Sequence, residues 1–155
     1  MTEILSNITY LLNAQITQHR NKPFLKAAMA ACALVASANG KVTLYQRMKL
    51  DQILETQNRL AIFDPHDGIN LFNEYAERLQ NDSHSTRKQL YETIKSTIDC
   101  EQTANCLIQM SQTLVQNNHQ TRDVQFEINA LCEIMGAQSE YHGVLEERQQ
   151  AKRFS

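Results

Sequence analysis

Apolar residues recur along this chain at helical spacing in nearly every segment. Residues 3–20 carry Ile4, Leu5, Ile8, Leu11, Leu12 and Ile16, the one-sided stripe of an amphipathic helix. Asn21-Lys22-Pro23 punctuates the end of that stripe, and Pro23 suits the first turn of a second helix. From Ala27 to Ala38 the polar positions almost vanish, leaving Ala with Met29, Cys32, Leu34 and Val35. Alanine loses no side-chain rotamer entropy on winding into a helix, and its small Cβ lets neighbouring backbones approach closely. The run falls short of the roughly 20 apolar residues needed to cross a bilayer. It predicts a central buried helix, packed against a helix from Glu101 to Val115.

The pattern beyond it is just as regular. Gly40 suits the left-handed position that closes a helix, and Thr43 with Gln46 forms a T-x-x-Q capping box. Leu44, Met48, Leu50, Ile53 and Leu54 mark the next helix, so the two make a hairpin. Asn58 to Phe63 reads as a short apolar connector. Asp64-Pro65 is a start signal, an N-cap carboxylate followed by proline, for a helix burying Ile69, Phe72, Tyr75, Ala76 and Leu79. Asn81 to Ser85 reads as a polar loop, with Ser83 or Ser85 capping a helix that carries Leu90, Tyr91, Ile94 and Ile98. Asp99-Cys100-Glu101 opens another, broken at Asn117-Asn118-His119. Thr121 caps the one after, which Gly136 ends, and Ser139 to Ala151 predicts a last surface helix.

A shift of 78 residues lays the first hairpin on the segment from Glu101 onward. Asn39-Gly40 falls on Asn117-Asn118, Thr43 on Thr121, Met48 on Phe126, Leu50 on Ile128 and Ile53 on Leu131. The expected fold is therefore all-α: one domain of seven to eight helices containing two related helical hairpin units.

Composition narrows the function classes. With 155 residues the chain can bury a substantial core, and four Gly and two Pro leave little material for all-β turns. The formal charge of −2, with no long basic run, argues against nucleic acid as a partner. Cys32, Cys100, Cys106 and Cys132 lack zinc-finger spacing and are expected to be reduced thiols in a cytoplasmic protein. Met1-Thr2-Glu3 lacks the basic start of a signal peptide. His19, His66, His84, His119 and His142 are scattered without H-x-x-x-H spacing. Asp82, Ser83, His84 and Ser85 are neighbours in sequence, which does not make a triad. No catalytic residues are assigned, and the chain is expected not to be an enzyme.

The run from Ala27 to Ala36, the turn Ala38-Asn39-Gly40-Lys41-Val42, the helix Arg47 to Glu55 and Phe63-Asp64-Pro65-His66 with Leu71-Phe72-Asn73-Glu74 together resemble the TerB family of tellurite-resistance-type helical proteins. The resemblance covers roughly residues 20–136. It implies two related hairpin units, a cytoplasmic setting, a role in a stress response to tellurite, and an adaptor that works with a membrane-linked partner without itself spanning the membrane.

The resemblance also implies Asp-Gly at the turn and an acidic residue seven positions on, a set that suits a hard divalent cation. Here those positions read Asn39 and Gln46 in one unit, and Asn117 and Val124 in the other. Asn39, Gln46, Asn117, Asp123 and Glu127 remain as metal candidates, with any divalent cation expected to bind weakly. No other cofactor is expected. Asn39, Tyr45, Gln46, Asn117 and Asn118 form the expected protein-docking face, with Tyr45 as its apolar anchor. The other function class is a divalent-metal sensor or carrier.

Overall fold

An alanine-rich helix has no polar face to turn toward water, so it must be covered on all sides. In the computed structural model, which describes residues 2–115 and 121–136, that is its position. Every residue from Ala27 to Ala36 is buried. They form the second half of α1 (Thr2–Ser37), which packs against four other helices, α3 (Pro65–Asn81), α4 (Ser83–Thr97), α5 (Glu101–Val115) and α6 (Arg122–Met135). The remaining helix, α2 (Leu44–Thr56), closes one side against α3 and α5. The described residues are all-helical, and the expected packing of the alanine run on α5 is present alongside a more extensive one on α3.

The described residues hold six helices where seven to eight were expected. One reason is Pro23, which does not separate two helices but lies inside α1. An interior proline costs a helix about 3 kcal/mol, because it lacks an N–H and its ring crowds the carbonyl four residues back. Here the segment is bracketed by tertiary contacts. Phe24 and Leu25 are buried directly after it, and the Gln18 Nε2 donates to the Ile62 carbonyl at 2.9 Å. Arg59 lies over the Phe24 ring at 3.8 Å and donates from Nη1 to Thr103 Oγ1 at 3.3 Å. These contacts bracket the proline within one continuous helix. The other reason is that the expected helix Ser139 to Ala151 lies outside the described residues.

The caps follow their sequence signals, with one correction. Thr43 and Gln46 make the reciprocal capping box, and Asp64 accepts from the His66 N–H at 3.0 Å ahead of Pro65. Between α3 and α4, however, there is no loop from Asn81 to Ser85. Asp82 alone serves as C-cap of one helix and N-cap of the next, its carboxylate accepting from the Ser85 N–H at 3.4 Å. A carboxylate satisfies N-terminal N–H groups as well as a serine hydroxyl does, so no serine cap is needed. Gly40 and Gly136 take the left-handed conformation, with φ of 95° and 64°.

The crowding around Ala33 gives a direct test. Ala33→Phe adds a ring where there is no space, and should lower stability by about 1–3 kcal/mol. A thermal melt matching the wild-type protein would show that the alanine run is not packed as described.

Candidate functional site

Helices α2 and α6 begin alike. Thr43 and Thr121 are both extended N-caps whose hydroxyls accept from the N–H three residues on, in Gln46 and Val124. Burial repeats at the 78-residue offset. Leu50, Ile53 and Leu54 are buried in α2, as are Ile128, Leu131 and Cys132 in α6, while Met48 and Phe126 are both exposed. The two starts also meet, since the Thr121 hydroxyl donates to Asn39 Oδ1 across the turns.

Beside this junction a cleft of about 380 Å³ opens between the end of α1, the α3–α4 corner and α6. Ser37, Gly40, Gln80, Arg87, Asp123 and Glu127 line it, with Phe126 at its edge. A second trough of about 540 Å³ runs along α4, lined by His84, Lys88, Tyr91, Lys95 and Ile134. Ser83 and Arg87 line both and form the ridge between them.

Glu127 explains why Arg87 stands there. It sits among Val124, Ile128 and Leu131 on the inward face of α6 and is 4 % exposed. A carboxylate placed there is costly unless paired and hydrogen-bonded. Arg87 Nη2 approaches Glu127 Oε1 at 2.5 Å, and the Tyr91 hydroxyl donates to Glu127 Oε2 at 2.6 Å. Arg87 also donates to the Tyr91 oxygen at 3.0 Å, one helical turn along α4.

Burial pushes the Glu127 carboxyl above its ordinary range, and the Tyr91 hydrogen bond and the Arg87 charge only partly reverse that. Burial acts to lower Arg87, but the Tyr91 hydrogen bond and the Glu127 charge outweigh it and hold the guanidinium above its ordinary value. The Tyr91 hydroxyl is pushed up to about 12, chiefly by burial and the bond to Glu127, so it stays a donor near neutral pH. The asymmetry is physical: the carboxylate is buried while the guanidinium remains about a third exposed.

Most metal candidates are already occupied by the protein. The Gln46 side-chain oxygen accepts from the Thr43 N–H at 2.9 Å, and Asn39 accepts from Thr121. Glu127 is held by Arg87 and Tyr91. Asp123 is exposed at the cleft, while Asn117 and Asn118 lie outside the described residues. Among the described residues no group of three His, Cys, Asp or Glu side chains gathers as a metal site would. Of the expected docking residues, Tyr45 is half-buried, with its hydroxyl enclosed and unpartnered. Leu44 and Met48 beside it are far more exposed, at 75 % and 63 %.

Sequence reasoning missed the triad as a unit. A signal existed: Glu127 falls at an inward position of an apolar helix face, and such an acid demands a cation. Arg87 and Tyr91 lie one turn apart on α4, the spacing at which side chains meet.

Of the four cysteines, Cys32 and Cys132 are buried, Cys106 is half-buried and Cys100 is exposed. Burial drives Cys32 up to about 12.

These features define a small all-helical protein with a polar cleft at the meeting point of two similarly capped helices. The chain is 30 % identical over 63 residues to the tellurium resistance protein TerB of Alcaligenes sp.. That stretch is 41 % of this chain, and the chain spans about half the length (52 %) of that relative. No family model matches the chain. No solved structure matches it either.

The triad yields a pH-dependent expectation. Arg87→Ala leaves the Glu127 carboxylate buried with only Tyr91, and should cost about 1–3 kcal/mol at pH 7, discounted for the exposure of the guanidinium. Because the folded-state pKa of Glu127 lies above its unfolded value, the folded protein binds the extra proton. The deficit should therefore shrink as pH falls from neutrality through that raised value toward the ordinary carboxylate range. Denaturant melts at several pH values measure this; a pH-independent deficit would show that Arg87 does not neutralise Glu127.

Proposed function

We propose that this chain is a non-catalytic, TerB-like binding module in a tellurite-type stress response. It docks to a protein partner through the turn ends that carry Asn39 and the first turns of α2 and α6. The observation that carries this reading is the state of the oxygen donors there. Asn39, Gln46 and Glu127 are each engaged in an internal bond, while Leu44, Met48 and Phe126 are left exposed around them. With their polar atoms satisfied, the Asn39 and Gln46 amides present uncharged edges without the desolvation cost of an ion, and the Glu127 charge is already compensated by Arg87. Exposed apolar side chains beside them supply the anchors that such an interface needs. The shared caps and burial at one offset support two related hairpin units. The partial likeness to the Alcaligenes protein supports the tellurium-resistance setting. A membrane-linked partner and a cytoplasmic location belong to the same proposal. No helix among the described residues is long and apolar enough to cross a membrane.

The apolar anchors are Leu44, Met48 and Phe126, with Tyr45 contributing only its ring. The alternative, a divalent-metal sensor or carrier, requires donors that are not already spoken for. Calorimetry with calcium, magnesium, manganese and zinc should accordingly show no site tighter than roughly 10⁻⁴ M. A stoichiometric micromolar site would favour the sensor.

A pull-down from the native host should recover a specific protein, and Leu44→Ala combined with Phe126→Ala should weaken its capture at least about tenfold, the scale of one interface hot spot. Undiminished capture by that variant removes the surface assignment. Robust turnover in an unbiased substrate screen removes the binding-module reading itself.

A further inference from the structure

Among the described residues the first half of α1 meets the rest of the protein only near its base, where Gln18 bonds the Ile62 carbonyl. From residue 2 to residue 20 its side chains are exposed, apart from a half-buried Ala14. Yet Ile4, Leu5, Ile8, Leu11, Leu12 and Ile16 fall on one side of it, each between 49 % and 66 % exposed. Tyr10 points away from that stripe by helical spacing. Such a segment is poorly equipped to stay helical alone. It is rich in Ile, Thr and Asn, which are weak helix formers, and isolated helices of this length are marginal in water. Two of its hydroxyls, Thr9 and Thr17, bond back to the carbonyls of Leu5 and Asn13, which adds no support against fraying.

We propose that this stripe pairs with the same stripe of a second copy of the chain, antiparallel. Three observations select that occupant. The six side chains leave on the order of 600 Å² of apolar surface uncovered, so two copies would bury roughly twice that, above the roughly 1,000 Å² expected of a specific interface. Charge is compatible with self-pairing: Glu3 is the only charged side chain in residues 2–18, and it lies off the stripe, so like surfaces meet without repulsion. The same composition disfavours a lipid surface, which interfacial helices engage with Lys and Arg on the polar face.

The orientation follows from the base of the stripe. It runs into a groove of about 460 Å³ lined by Gln15, His19, Leu25, Phe63 and Leu71. In an antiparallel pair, Ile4 and Leu5 of one copy reach residues 15–19 of the other, where this groove opens. A parallel pair would set groove beside groove and fill neither.

Sedimentation velocity on the full chain, from about 1 to 100 µM, tests this. The wild-type protein should reach twice the 17.8 kDa chain mass within that range. Ile8→Asp with Leu12→Asp should weaken association at least a hundredfold, leaving a single chain mass with the thermal melt of the helical body retained. Tyr10→Asp, on the other side of the helix, should leave the dimer intact. Leu71→Asp, in the groove, should loosen it about tenfold. A wild-type protein that stays at 17.8 kDa at 100 µM overturns the proposal. So does dissociation by Tyr10→Asp as strong as by the stripe variant. Flotation of the monomer with neutral or anionic vesicles, lost in the stripe variant, would assign the stripe to lipid instead and equally overturn it.

Discussion

Everything in this fold answers to the need to cover the alanine run of α1. A helix of small apolar residues gains little from any single contact, since each methyl contributes a small area. It gains from contact on every side at once, at short interaxial distance. That requirement brings α3, α4, α5 and α6 around it and fixes the order of the chain in space, because each passes the same axis in turn. Gly68 shows how close the surrounding layers lie. A Cβ there would meet Leu54 Cδ2 at 2.6 Å, so any other residue would force the Leu54 side chain to shift.

A dense apolar centre makes Glu127, the one buried carboxylate among the described residues, conspicuous. Glu127 is tied to α4 by Arg87 and Tyr91, so an ion pair and one hydrogen bond join α4 to α6, while a second hydrogen bond links the two partners on α4. Replacing such an ion pair by apolar residues is often neutral for stability, so its presence calls for another reason. Its geometry offers one. The pair holds the Arg87 guanidinium at a fixed point between the polar cleft and the α4 trough. A positioned, partly exposed cation between two concavities shapes what either surface can accept.

Much of this architecture was legible from spacing alone. The capping box at Thr43, the Asp64-Pro65 start and the Gly136 stop are local devices, set by residues within one turn, and they appear where the sequence puts them. What was not legible depends on residues distant in sequence. Pro23 looks like a boundary until Arg59, Ile62 and Thr97 are seen to bracket it from other segments. Asp82 looks like a loop residue until it is found capping two helices at once. At the site, donor types could be read from the sequence but not their engagement. Asn39 faces Thr121 across 82 residues, and Glu127 faces Tyr91 across 36. Nor could spacing disclose that Tyr45 is half-buried with its hydroxyl enclosed.

The continuity of α1 through Pro23 has a mechanical consequence. If the helix broke there, the exposed first half would swivel on a flexible joint, and a contact made by it would say nothing to the body. As one helix of 36 residues, about 54 Å at 1.5 Å per residue, it is a lever rooted in the buried centre. The root is clamped just where a proline would otherwise loosen it, by the Arg59–Phe24 contact and the Gln18–Ile62 bond. Force or order imposed on Ile4 to Ile16 therefore reaches Phe24 and the alanine run without a joint between. The same run ends at Ser37, on the wall of the cleft beside Gly40. The exposed stripe and the cleft thus lie at two ends of one continuous helix, and the alanine packing that holds the fold together lies between them.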